Sequence, residues 1–286
     1  MKSIKYFIQF LLILFLFLIF KVIGINYASF ISGKIMSIIG PYFRSKRLVQ
    51  SNILKAFPNL KNSEIEKITN EMWNNYGRIL AEYVFIKDIR DSNLENNIKI
   101  SGQEILKKIK ENNEPVVFVS GHFNNFELMA MQIEKSEINV AAVYRPLNNK
   151  FLNFIMERIR KKYICKNQIK KGISGTKQLL SFFKKKTSIA LMIDQRVSQG
   201  IKSNFFNQEA FTTTIPAQFV KKFNCKVVPI YIERVTGTNF KIIIQEPLIF
   251  SNDESIESIT LKLNSQLEKL ILKNPGQWIW SHDRWR

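Results

Sequence analysis

His122 and Glu127 stand five residues apart in the stretch GHFNNFE (121–127), and the 286-residue chain holds only two histidines. A neutral imidazole can take the proton of an alcohol as its oxygen attacks an activated acyl group. A carboxylate hydrogen-bonded to the other ring nitrogen fixes the tautomer and stabilises the imidazolium that forms. Five residues across a strand-to-helix turn can bring two such side chains together, and a general base of this kind contributes about 10²–10⁴-fold in rate. The same residues also have a plainer reading. Asn124 could cap a helix with Glu127 as its acidic third residue, leaving His122 on the surface. Other chemistries fit worse. GISGTK (172–177) misses the spacing of a phosphate loop, and no GxSxG nucleophile elbow occurs. Cys165, Cys225 and the two histidines are not at metal-ligand spacing, so a zinc site is not expected. The two cysteines fit reduced, buried thiols better than a disulfide scaffold.

Such side chains need a scaffold. PVVFVSGHF (115–123) reads as a buried strand running into a turn, and ELMAMQIE (127–134) as the helix after it. INVAAVYRP (138–146), SIALMID (188–194), CKVVPIYIE (225–233) and FKIIIQEPL (240–248) supply four more strands. Ser63 with Glu66 resembles a capping box, followed by helically spaced Ile65, Ile68, Met72, Tyr76, Ile79 and Tyr83. A basic helical stretch follows the second strand. Ser255–Lys273 forms a helix with Ile256, Ile259, Leu263, Leu267 and Leu270 on one side, stopped by Asn274-Pro275-Gly276. Strands alternating with helices, several continuously apolar, predict an α/β layer fold with a mainly parallel central sheet flanked by helices. In such sheets ligands sit beyond the C-terminal strand ends, where His122, Arg145 and Asp194 all fall.

The first residues differ from the rest. Tyr6–Phe20 is apolar except for Gln9, with Lys2 and Lys5 before it and Lys21 after. Fifteen helical residues reach about 22 Å, short of a ~30 Å hydrocarbon core, so a spanning helix must continue past a snorkelling Lys21. This predicts a membrane anchor over residues 1–30 and one domain over 31–286, the anchor either spanning or dipping into one leaflet. Residues 40–60 mix aromatics with Arg44, Lys46, Arg47 and Lys55, which suits either the headgroup region or a surface helix. Forty-three Lys and Arg against 23 Asp and Glu give a net charge of +20, and eleven basic residues without an acid lie between 158 and 186. That balance points to polyanionic partners, with a Lys-rich composition as part of the cause. The anchor argues for lipid over nucleic acid, for which no recognition motif is present.

SGHFNNFE (120–127) resembles the HX4(D/E) box of the lysophospholipid acyltransferase superfamily, and its surroundings resemble the bacterial lipid A late acyltransferase branch. Val143–Arg160, Leu191–Thr214, Lys226–Arg234 and the ending WIWSHDRWR (278–286) match in order. The resemblance covers essentially the whole chain and implies a glycerolipid acyltransferase-like fold. It implies His122 as general base with Glu127 as its carboxylate. It also implies Arg145, Arg158, Asp194, Gln195 and Arg284 as residues that bind the acceptor or support the site. Arg160 could take the place of Arg158, and plainer roles exist for Arg145 (surface), Asp194 (turn cap) and Arg284 (solvated tail). His282 is read as structural or substrate-facing. The implied reaction moves a fatty acyl chain from acyl carrier protein to a lipid A precursor, without a cofactor, at the cytoplasmic face of the bacterial inner membrane. Anionic membrane lipids are a further expected partner. Alternatives are a lysophospholipid or glycolipid acceptor, or a catalytically silent polybasic membrane-binding protein. Asn124 and Asn207 replace frequent glycines, and asparagine tolerates positive φ well enough to keep the turns. Phe126 replaces a common tryptophan, which bears on acyl-pocket shape.

Overall fold

The computed structural model describes residues 2–91 and 94–286. Its N-terminal helix α1 (Lys2–Ile39) is long and apolar enough to cross a membrane, and only 6% of its most apolar stretch is buried. The helix breaks at Gly24, whose φ of 79° and ψ of 162° suit only glycine. Its second half packs on α3 (Asn62–Glu82) through small residues: Ala28, Ser29, Ser32 and Gly33 are all buried. Gly77 of α3 makes that approach possible. A Cβ there would sit 2.1 Å from the Ser32 carbonyl, and the Ser32 hydroxyl donates to the Gly77 carbonyl at 2.7 Å. Lys21 pairs with Asp88 on α4 (Ile86–Arg90), and between the first and third helices lies α2 (Lys46–Ala56).

Seven strands form one sheet: β1 (Ile98–Ser101), β2 (Val117–Ser120), β3 (Val140–Tyr144), β4 (Asn167–Lys170), β5 (Ser188–Met192), β8 (Val227–Thr236) and β9 (Asn239–Ile244). Their spatial order is β1-β9-β8-β2-β5-β3-β4. Every neighbouring pair is parallel except β8 and β9, which form a hairpin, so five strands run one way and two the other. The α/β architecture with a mainly parallel sheet is therefore present. Four strands lie outside the sequence reading. β1 and β4 are four residues each and half exposed, and β6 (Ile201–Phe205) with β7 (Gln208–Thr212) makes a separate antiparallel ribbon. β4 also interrupts the basic stretch, which is not one helix.

Helices connect the parallel strands. α5 (Gln103–Asn112) follows β1 and packs on β9. α6 (Glu127–Lys135) and α7 (Lys150–Ile159) carry the chain outward from β2 to β3 to β4, and α6 packs on β3 and β8. α8 (Ile173–Lys184) and α9 (Ile215–Phe223) carry it back, packing on β3, β4 and β5 and on β2, and are joined by the Phe183, Phe219 and Phe223 rings. α10 (Ile256–Lys273) starts at Ser255, which caps Ser258, and buries Ile259, Leu263, Leu267 and Ile271. Two expected caps move. α3 begins at Asn62, where Glu64 rather than Glu66 accepts the Lys61 backbone N–H at 2.9 Å. Asn124 does not cap α6. Its φ is +40°, and it turns away to bond Gln277 instead.

Candidate active site

The 121–126 loop leaves β2 at the C-terminal edge of the sheet and is fixed from beneath. The Asn124 backbone N–H donates to the Gln277 carbonyl at 3.2 Å, and its side chain to the Gln277 amide oxygen. Asn125 donates to the buried Glu82 carboxylate at 3.2 Å. Glu82 is also bonded by Ser29 at 2.8 Å and by both terminal nitrogens of Arg234 at 2.6 and 3.1 Å. One buried ion pair thus joins α1, α3, β8 and the loop. Asn207 also has positive φ, at 55°, so both asparagines occupy the glycine-like turns expected of them.

His122 sits where β2 ends beside β5, and the neighbouring strand delivers its carboxylate. Its Nδ1 lies 2.8 Å from Asp194 Oδ1, while its own backbone N–H donates to Asp194 Oδ2 at 2.7 Å. The Trp278 indole N–H donates to the same oxygen at 2.9 Å. Asp194 is completely buried. Burial alone would raise its carboxyl pKa, but the His122 ring, the backbone N–H and the indole outweigh it and hold the group below the usual carboxylate range. An ionised carboxylate only accepts, so Nδ1 carries a proton and, in the neutral ring, the lone pair is on Nε2. Nε2 has no hydrogen-bond partner among the described residues. The ring's edge meets Phe126 at 4.9 Å between centroids.

Glu127 does not occupy the position expected of it. Its carboxylate is bonded by Arg160, through Nε at 2.8 Å and a terminal nitrogen, and no hydrogen bond joins it to His122 among the described residues. The reason is topological: Glu127 opens α6, which packs against the turn after α7, whereas Asp194 ends the strand beside His122. Burial opposes the Arg160 charge, yet Glu127 and neighbouring tyrosines raise its pKa overall. Arg158 lies two residues away, about 200° around a helix, and points outward over the Phe154 ring at 5.0 Å. Arg160 therefore takes the inward place.

Both His122 and the Glu127–Arg160 pair line a cavity of about 550 Å³. Strand register explains its shape. Phe118, Ala190, Ala142 and Gln168 form one row across β2, β5, β3 and β4, and two alanines leave the middle of that row open. Met129, Ala130 and Ile133 of α6 form the opposite wall. Arg145 and Lys171 stand at the mouth. Burial, then Arg145, lowers the Lys171 pKa, and neither side chain has a carboxylate partner among the described residues. Gln195 lines the cavity, as does His282, whose Nε2 accepts the Arg196 backbone N–H at 3.0 Å. Burial is the first cause lowering the His282 pKa, which keeps that ring neutral.

Arg284 is neither a solvated tail nor part of the cavity wall. It is fully buried, donates to the Phe211 carbonyl at 2.6 Å and to Thr212 at 2.7 Å, and lies over the Phe205 ring. Burial lowers its pKa to about 10. It locks the C-terminal segment to β7 while Asn52 of α2 holds the Trp280 and His282 carbonyls. Glu82 and Gln277 lie outside the motifs read from the sequence, and Trp278 lies inside the matched ending without being marked as a partner of Asp194. Glu82 left a trace in the sequence, as a carboxylate three residues after Ile79 on the buried arc of α3.

Known proteins share this arrangement of sequence. The palmitoleoyltransferase of lipid A biosynthesis from Escherichia coli (strain K12) is 22% identical over 263 residues, covering 90% of this chain and 84% of the relative. The lipid A biosynthesis acyltransferase of Haemophilus influenzae is 23% identical over 248 residues, covering 85% and 78%. The E. coli lauroyltransferase is 22% identical over 249 residues, covering 85% and 79%. Among solved structures, the 1-acyl-sn-glycerophosphate acyltransferase PlsC from Thermotoga maritima aligns at a TM-score of 0.43 and 15% identity, over 96% of this chain and 99% of that one. The family described as bacterial lipid A biosynthesis acyltransferase matches residues 1–286 throughout, and the chain belongs to it: it is an acyltransferase of lipid A biosynthesis.

Proposed function

We propose that the enzyme transfers a fatty acyl chain from the thioester of acyl carrier protein to a hydroxyl of a phosphorylated, Kdo-bearing lipid A precursor, with His122 as general base. The carrying observation is a histidine held at Nδ1 by the buried Asp194 carboxylate on the wall of an apolar cavity. The acceptor oxygen bonds to the thioester carbonyl carbon as its proton passes to Nε2. The tetrahedral intermediate then collapses, the C–S bond breaks, and the imidazolium returns the proton to the leaving thiolate. Asp194 stays ionised throughout and holds the ring. The acyl chain lies along the Ala142–Ala190 floor, and Gln195 supplies a neutral donor beside the reacting carbonyl. Glu127 and Arg160 position the cavity wall as a pair. Arg145 and Lys171 take the anionic part of the substrate. No cofactor beyond the acyl donor is required, and the reaction is placed at the cytoplasmic face of the inner membrane, where anionic lipids attract a chain of net charge +20.

The test is transfer from labelled acyl carrier protein to purified tetra-acylated precursor. His122→Ala should lose about a hundredfold or more, the scale of a missing general base. A variant as active as the wild type would remove His122 from the chemistry. Wild-type transfer to a lysophospholipid but not to the precursor would reassign the acceptor.

A further inference from the structure

The apolar run of α1 is tied to the body at both ends. At its start, the Asn149 side-chain N–H donates to the Tyr6 carbonyl at 2.8 Å. Asn149 is buried, and its oxygen caps α7 by accepting the Phe151 and Leu152 N–H groups. Phe7 and Phe10 pack on Phe151, with centroids 5.4 and 5.7 Å away. At its end, Lys21 pairs with Asp88 and lies over Phe85. Between these ties the helix covers about 22 Å. So held, it lies along the body. It cannot carry its first residues across a ~30 Å hydrocarbon core while the body stays in water.

α7 offers a second surface of the same kind. None of its residues is buried, and Phe154 is 60% exposed. Phe151 and Phe154, three residues apart on α7, and Leu147 in the segment just before it are all exposed. Lys150 and Arg158 flank them, and the Arg158 guanidinium folds back over Phe154, as a side chain does when its stem is in lipid and its charge at the surface. The residues just before α7, Arg145 to Asn148, form the cavity mouth.

Resting on the reading of α1 as a membrane helix, we infer that α1 and α7 enter one leaflet together, making the protein monotopic. The Arg145–Asn148 lip then lies at headgroup level. A lipid acceptor reaches the cavity sideways from the leaflet, with its phosphates against Arg145 and Lys171.

Two measurements on the full chain, reconstituted into phosphatidylglycerol-containing vesicles, test this with Cys225→Ser as background. First, Ser3→Cys and Lys108→Cys are treated with a membrane-impermeant maleimide, in vesicles scored for orientation. Labelling of both from one side is expected; labelling from opposite sides overturns the inference in favour of a spanning helix. Second, nitroxides are placed at Leu12→Cys and Phe154→Cys and their access to oxygen and to a water-soluble nickel complex is compared. Both should be open to oxygen and shielded from nickel. Shielding at 12 with nickel access at 154 equal to that at 108 removes α7 from the leaflet and overturns the inference, leaving the anchor intact. Nickel access at both overturns the membrane reading of α1 itself.

Discussion

Two carboxylates compete for the role of partner to His122, and they should separate in kinetics. Asp194→Asn leaves the shape but lets the ring take the wrong tautomer, so kcat should fall by roughly 10²–10⁴-fold. Glu127→Ala instead strands Arg160 at a site where both side chains are about a tenth exposed. Its main effect should be a stability loss of about 3 kcal/mol, read by thermal unfolding in detergent. His282 gives a pH signature. Its folded pKa is depressed, so below about pH 6.5 the unfolded chain binds a proton that the folded chain refuses. Stability should therefore fall as pH drops from 7 to 5, and His282→Asn should flatten that fall. At this scale the sequence exposed His122, Glu127, Arg145 and Gln195, all on the cavity wall. It named Asp194 without its partner, because the β2–β5 pairing that joins it to His122 spans 72 residues. Arg158 and Arg284 have the right residue type, but their directions follow from helical phase and from burial against β7.

At the scale of elements, the continuously apolar strands β2, β3, β5 and β8 were legible because both their faces are covered. Short β1 and β4 carry no such signal: they sit at the two sheet edges and show alternating or mixed burial. The α1–α3 contact was legible only as small residues in a helix. Its tightness makes a strong prediction. Gly77→Ala must push the Ser32 backbone away and should destabilise the protein by about 1–3 kcal/mol, measured by thermal unfolding. The open row in the sheet makes another. Ala142→Leu or Ala190→Leu fills the cavity floor and should shift products toward shorter acyl chains when a mixture of donors is offered.

Across the whole molecule, the site is assembled from parts far apart in the chain. His122 comes from its middle, Asp194 from some seventy residues later, and Trp278 and His282 from the C-terminal segment. That segment is held by α2 and β7 rather than by its own secondary structure. During synthesis α1 leaves the ribosome first, while Trp278 follows more than two hundred residues behind. At ~5–20 residues per second the interval is roughly a quarter of a minute to a minute. For that time Asp194 lacks the Trp278 indole that fixes it beside His122, so on the proposed mechanism a chain truncated before Trp278 should bind membrane yet show no acyl transfer.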